Sequence, residues 1–170
     1  MSRFAVLPIE MSGGCQCGAV RYHATRFTDN AHLCHCRMCQ KAVGNLFAAL
    51  VGAPKDAVTW TRGTPARFRS SAHVDRGYCR DCGTPLFYDN LEGDRISFTI
   101  GSLDEPVRFK PRTHEGIEGR MPWFFELDAI NEGHATEFES EDWAAAIKAS
   151  SRQHPDHDTD VWPAAGEASR

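Results

Sequence analysis

Along most of the chain, hydrophobic and polar positions alternate in short stretches rather than recur at helical spacing. That pattern predicts a mainly β protein made of short strands and irregular loops. Residues 14–24 read as a strand, with Val20 and Tyr22 alternating against Arg21 and His23. Residues 46–51 form a short apolar run suited to a buried strand, stopped by Gly52 and Pro54. Short strands at 58–61 and 66–69 flank a turn at Arg62-Gly63-Thr64-Pro65. Residues 74–78 lead into a turn bearing Cys79 and Cys82, and residues 85–88 lead out of it, as in a hairpin. In 95–100, Ile96, Phe98 and Ile100 face one way, and Ser97 and Thr99 the other. The stretch 32–44 is dense in Cys, His and basic residues and has no clear period, so it reads as a loop.

One helix is predicted near the C-terminus. Ser140 suits the N-cap, Glu141 and Asp142 suit the positive end of the helix dipole, and Trp143 and Ile147 meet at i, i+4. Beyond Ser150 the chain is polar and proline-bearing, which predicts a mobile tail over 151–170 with Val161 and Trp162 available to dock. The expected layout is a single domain over 1–150 followed by that tail.

Composition narrows the function. The 170 residues suffice for one domain with a real core. A net charge of −4 offers no electrostatic attraction to nucleic acid or to an anionic membrane. No apolar run approaches the roughly 18 residues that span a bilayer. The N-terminal apolar stretch is too brief for a secretory signal and is interrupted by Glu10. The expected compartment is therefore the cytoplasm.

A reducing compartment changes how the seven cysteines read. An odd number cannot all pair within one chain, and clustered cysteines in the cytosol are metal ligands or catalytic thiols more often than bridges. They fall into three tight groups: Cys15 and Cys17; Cys34, Cys36 and Cys39; Cys79 and Cys82. Two cysteines one residue apart in a strand point to the same face, so Cys15 and Cys17 can reach one ion. Cys79-Arg80-Asp81-Cys82-Gly83 is a common half-site whose glycine permits the positive φ needed to leave the turn, and Gly18 can act similarly after Cys17. Together the pairs supply four thiolates, the donor set of a closed structural zinc site.

The remaining group, Cys34-His35-Cys36-Arg37-Met38-Cys39, offers three thiolates from one segment. Three protein ligands with an exchangeable fourth group is the pattern of catalytic zinc. The fourth position could instead be closed by His35, His32 or His114. His35 lies between two ligands and should point away from them if the segment is extended. Arg37 and Lys41 could steer an anionic thiol toward such a site or simply form a solvated rim. His114 is the candidate proton donor or acceptor beside it. Trp123, Phe124 and Phe125 read as core.

The ordered set Gly14-Cys15-Gln16-Cys17-Gly18, Cys34-His35-Cys36-Arg37-Met38-Cys39-Gln40-Lys41 and Cys79-Arg80-Asp81-Cys82-Gly83-Thr84-Pro85-Leu86 resembles the glutathione-dependent formaldehyde-activating enzyme family, which includes relatives of centromere protein V. The resemblance covers about residues 12–125. It extends more loosely to Lys110-Pro111-Arg112-Thr113-His114 and Pro122-Trp123. What it implies is a β-tent-like fold of short antiparallel sheets stapled by zinc, with two ions per chain. Cys15, Cys17, Cys79 and Cys82 would hold the structural zinc, and Cys34, Cys36 and Cys39 the zinc near the active site. The implied activity is that of a carbon–sulfur lyase, the reversible condensation of glutathione with formaldehyde to S-hydroxymethylglutathione, with small-molecule thiol and aldehyde as partners. Two alternatives from other classes are a non-catalytic zinc-stabilised β module that binds a protein partner and a thiol or zinc redox sensor.

Overall fold

The computed structural model describes residues 4–130, 132–138 and 140–163. In chain order the strands are β1 (Val6–Leu7), β2 (Met11–Gly14), β3 (Arg21–Ala24), β4 (Phe27–Thr28) and β5 (His32–Cys34), followed by helix α1 (Arg37–Val43). Next come β6 (Ala48–Pro54), β7 (Val58–Arg62), β8 (Ala66–Ser71), β9 (Val74–Tyr78), β10 (Pro85–Asn90), β11 (Arg95–Thr99) and β12 (Thr113–Glu115). Helix α2 (Glu141–Ala149) closes the series. The strands form a two-stranded sheet β1-β4, a three-stranded sheet β2-β3-β7, and a seven-stranded sheet ordered β12-β5-β6-β11-β10-β9-β8. Pairing is antiparallel throughout, except that β12 runs parallel to β5. The mainly β architecture of short sheets is therefore what the alternation predicts.

The core lies between the seven-stranded and three-stranded sheets. In the register of the larger sheet Val51, Phe98, Phe87 and Gly77 are successive partners across β6, β11, β10 and β9. Their shared face meets Tyr22 and Trp60 of the smaller sheet. Tyr22 stacks on Phe98 with ring centroids 4.0 Å apart, and Trp60 packs against Phe87 at 5.6 Å. Buried Tyr22 keeps its hydroxyl paired with Ser102 Oγ at 2.8 Å. Gly77 has a packing reason: a Cβ there would lie 1.9 Å from the Phe87 ring. Ile96, Phe98 and Ile100 are all buried, as their alternation predicts.

The opposite face of the same sheet builds the site. There the register brings Cys34 beside Ala48, His32 and Thr99 beside Leu50, Ser97 beside Gly52, Tyr88 beside Ser97, and Arg76 between Tyr88 and Phe68. Because side chains alternate between faces, a single sheet separates an apolar core from the surface that carries the Cys34 side chain.

Several elements depart from the expected outline. The predicted strand over 14–24 is broken, with β2 ending at Gly14 and residues 15–20 forming a turn. The stretch read as a loop at 32–44 contains β5 and α1. The short helix has no hydrophobic period to reveal it; it is fixed at its ends, by Cys36 Sγ accepting from Cys39 N (3.4 Å) and by Gly44 in the left-handed region (φ 63°). Strands β7 and β8, adjacent in sequence, belong to different sheets. Ser140 caps α2 as expected, but Trp143 and Ile147 remain exposed.

Described residues of the expected tail lie along the 15–18 turn, while 164–170 lie outside the described residues. His154 N donates to Gln16 O (2.7 Å) and Trp162 Nε1 to Cys17 O (2.7 Å). Arg62 bonds the Thr159 carbonyl. Buried Arg21 is held in bidentate fashion by Asp104 (2.8 and 2.6 Å) and by Asp158 (2.9 Å), which also accepts from Ser12 Oγ. Asp158→Asn weakens this strap while leaving Asp104 in place. Proteolysis within 151–163 should accelerate, with the main melting midpoint shifted by no more than about 4 °C, since a half-exposed ion pair is worth up to about 1 kcal/mol. Unchanged cleavage rates would show that the segment is held without Asp158.

Candidate metal centres

The chain positions the first four sulfurs with two similar turns. In one, Gly18 N bonds Cys15 O (3.1 Å) and Cys15 N bonds Val20 O (3.0 Å); in the other, Gly83 N bonds Cys79 O and Cys79 N bonds Thr84 O, both at 2.9 Å. Gly18 (φ 78°) and Gly83 (φ 77°) both occupy the left-handed region that the sequence assigned to them. Cys15 and Cys17 thus converge in a turn, not along a strand. Their sulfurs lie 3.6 Å apart, and Cys17 Sγ lies 3.8 Å from Cys79 Sγ. All four sulfurs, with that of Cys82, fall within 4.8 Å of one another.

These separations fit a shared ion. Tetrahedral ligands at the zinc–thiolate distance of about 2.3 Å sit about 3.8 Å apart, whereas a disulfide would bring two sulfurs to about 2.05 Å. The electrostatics point the same way. Burial pushes the Cys15 thiol far up and that of Cys17 up to about 11. Cys82 is brought down to about 6: burial opposes ionisation, but hydrogen bonds from Thr84 outweigh it. Thiols packed this tightly cannot all carry charge together unless a cation lies among them.

The second cluster sits where β5 runs into α1. Cys34 ends the strand, Cys36 caps the helix, and Cys39 lies one turn in, so strand geometry and helix geometry together aim three sulfurs at one point. Cys34 and Cys36 sulfurs are 3.6 Å apart, and the three lie within 4.8 Å of one another. Among the described residues no histidine, carboxylate or further cysteine joins the group. Cys39 is held down to about 5, first by the hydrogen bond from Cys34, against burial, and then by Arg76. Cys34 is driven up by that same bond and by burial.

These sulfurs open onto a cleft of about 350 Å³. Its lining mixes polar and charged side chains, among them His32, Glu115, Arg76 and Arg95, with apolar ones, among them Phe4, Met38 and Leu50. Arg76 Nη2 donates to Cys39 Sγ at 3.4 Å, and its guanidinium lies 5.3 Å from the centre of the Tyr88 ring. The Nη1 of Arg95 is buried without a hydrogen-bond partner. His32 Nδ1 lies 2.7 Å from the Asn30 carbonyl, leaving Nε2 facing Glu115 at 3.5 Å.

The sequence-assigned histidine lies elsewhere. His114 pairs with Leu33 in the register while its neighbour Glu115 pairs with Cys34, so alternation turns His114 to the other face. There its Nδ1 meets the Nε2 of fully buried His35 at 2.8 Å, beside Phe124. Burial lowers the His35 pKa. His35 does point away from the sulfurs, as extended geometry requires. Arg37 and Lys41 are exposed on α1 and absent from the cleft lining; the cations that line it are Arg76 and Arg95. No motif marks either arginine, because strand pairing brings them in from 37 and 56 residues beyond Cys39. Phe125 and Trp123, read as core, are exposed.

No helix among the described residues is long and apolar enough to cross a membrane. The sequence model of the family described as "Glutathione-dependent formaldehyde-activating enzyme" matches residues 10–117, which include every cysteine. A Schizosaccharomyces pombe protein named as an uncharacterized lyase is 27% identical over 89 residues, 52% of this chain and 64% of its own length. A Penicillium rubens protein provisionally named as a glutathione-dependent formaldehyde-activating enzyme is 34% identical over 77 residues, 43% of this chain and 40% of its own. The matched region thus spans less than two thirds of either relative. In fold, a Rhodobacter sphaeroides crystal structure is similar with a TM-score of 0.50 at 19% identity, covering 61% of this chain and 99% of that one.

Purified, reduced protein should carry two equivalents of thiolate-bound metal. Cys39→Ser should lose one equivalent and keep its fold, whereas Cys79→Ser should lose the other and aggregate. Elemental analysis and thermal melting read both outcomes. Soluble Cys79→Ser with an unchanged melting temperature would refute the staple.

Proposed function

Because the chain belongs to the glutathione-dependent formaldehyde-activating enzyme family, we propose that it is a zinc-dependent carbon–sulfur lyase that joins a thiol reversibly to a small aldehyde. One observation carries this reading: three convergent sulfurs, without a fourth protein donor among the described residues, form the floor of an open cleft. In this reading Cys15, Cys17, Cys79 and Cys82 hold a structural zinc, and Cys34, Cys36 and Cys39 a second one. Zinc held by three thiolates would supply a position at which an entering thiol, glutathione or a similar compound, loses its proton far below its free pKa of about 8.5.

The chain's own groups do the rest. Arg76, against Cys39 Sγ, offsets the negative charge of the sulfurs and fixes one wall of the cleft. Arg95, stacked on Phe4 at the cleft lining, adds a second positive charge for a carboxylate of the thiol substrate. His32 donates from Nδ1 to the Asn30 carbonyl, which leaves Nε2 as the basic nitrogen facing the cleft. His32 Nε2, seconded by Glu115, is placed to take the thiol proton and return it to the aldehyde oxygen. In the addition a sulfur–carbon bond forms, the carbonyl π bond breaks, and the proton ends on the new hydroxyl; nothing is oxidised or reduced. The proton role that the sequence suggested for His114 falls in this geometry to His32. The scaffold alternative requires a closed second site, and the open cleft weighs against it.

The test is exchange NMR of formaldehyde with glutathione. Zinc-loaded protein should accelerate exchange. His32→Gln should slow it roughly a hundredfold with metal content unchanged, and His114→Gln should change it less than roughly threefold. No acceleration at high protein concentration would refute the named reaction.

A further inference from the structure

On the same face of the seven-stranded sheet, a second cavity of about 170 Å³ adjoins the metal cleft. Its walls are chiefly apolar: Ala42, Val43, Ala48, Leu50, Phe68 and Pro85. Leu50, Arg76 and Tyr88 border both spaces, so the cleft and this annex are neighbours. It also lies close to the sulfurs. Val43 is one helical turn beyond Cys39, and Ala48 is the strand partner of Cys34.

The two compartments differ in what they can hold. The cleft offers Asn30, Ser97 and the positive charges of Arg76 and Arg95 beside its apolar residues, which suits a polar, charged thiol. The annex offers hydrocarbon, and its volume sets a size: an apolar cavity of about 150 Å³ lined by Leu, Ile and Phe holds benzene. A space of about 170 Å³ therefore takes a group up to a phenyl ring. Formaldehyde has no substituent to place there. If the thiol sulfur sits above Cys34, Cys36 and Cys39 with its polar body in the cleft, the annex is left to the group on the aldehyde carbon.

We infer that the carbonyl substrate is an aldehyde bearing an apolar substituent between isobutyl and phenyl in size, seated in this annex. The inference rests on the thiol–aldehyde reading of the cleft and names its second substrate. The product is R–CH(OH)–S–R′, formed by the same balanced addition, with R in the annex.

Stable thioethers test it without turnover. Zinc-loaded protein is titrated calorimetrically with S-benzylglutathione, which carries a phenyl group on the reacting carbon, and with S-methylglutathione, which carries none. The benzyl compound should bind roughly tenfold or more tightly. Ala42→Trp, at an exposed helix position that borders the annex, should bring that ratio close to one. Equal binding of the two thioethers to the unmodified chain overturns the inference and leaves the thiol reading intact. If neither binds, glutathione is not the thiol, and the annex is read from benzyl alcohol by methyl NMR. Shifts at Val43 and Leu50 that disappear in Ala42→Trp support the inference, and their absence overturns it.

Discussion

Everything else in this molecule depends on sulfur crowding. Four sulfurs within 4.8 Å of one another cannot all ionise unless a cation lies among them, because each ionised sulfur raises the cost of charging the next. The fold accepts that cost at the junction of its two larger sheets. Cys15 and Cys17 follow the last residue of β2 in the smaller sheet, and Cys79 and Cys82 lie in the β9–β10 hairpin of the larger one. An ion shared by the two turns would join segments more than sixty residues apart, where closing the loop by packing alone is entropically expensive. The segment from His154 to Trp162 lies across the same turn and covers the junction.

The two clusters differ in how the backbone treats them. Around the first, two glycine turns enclose the sulfurs and Thr84 serves both halves, bonding Cys82 Sγ and accepting from Gln16 N. Around the second, the donors come from a strand end, a helix cap and a helix turn, an arrangement that wraps one side of a point and leaves the other open. A closed set of donors favours permanence, and an incomplete one favours exchange. The two clusters thus differ in how each segment meets its sulfurs rather than in the sulfurs themselves.

Strand alternation divides the larger sheet into a core face and a cleft face. Phe98 and Phe87 pack on Tyr22 and Trp60, while their neighbours Ser97 and Tyr88 line the cleft. The same rule separates Glu115, at the sulfurs, from His114, which joins His35 on the far side. Arg76 reaches Cys39 from strand β9, with its Nε donating to Ser70 Oγ on β8 and its guanidinium over the Tyr88 ring of β10.

The sequence by itself determined what is local. The spacing of the cysteines identified both donor sets, the glycines after Cys17 and Cys82 marked the turns, and alternation at 95–100 marked a strand with its buried face. Each of these follows from geometry within a few residues. Helix α1 escaped because its stability comes from the cap at Cys36 and the turn at Gly44 rather than from an apolar stripe. What only the tertiary structure decided is which distant side chains reach the second cluster. Arg37 and Lys41 are near it in sequence but exposed on the helix, whereas Arg76, Tyr88, Arg95 and Glu115 arrive by strand pairing, and register is set by the whole sheet's packing. His114 could not be distinguished from Glu115 in sequence, since a shift of one residue exchanges the two faces of a strand.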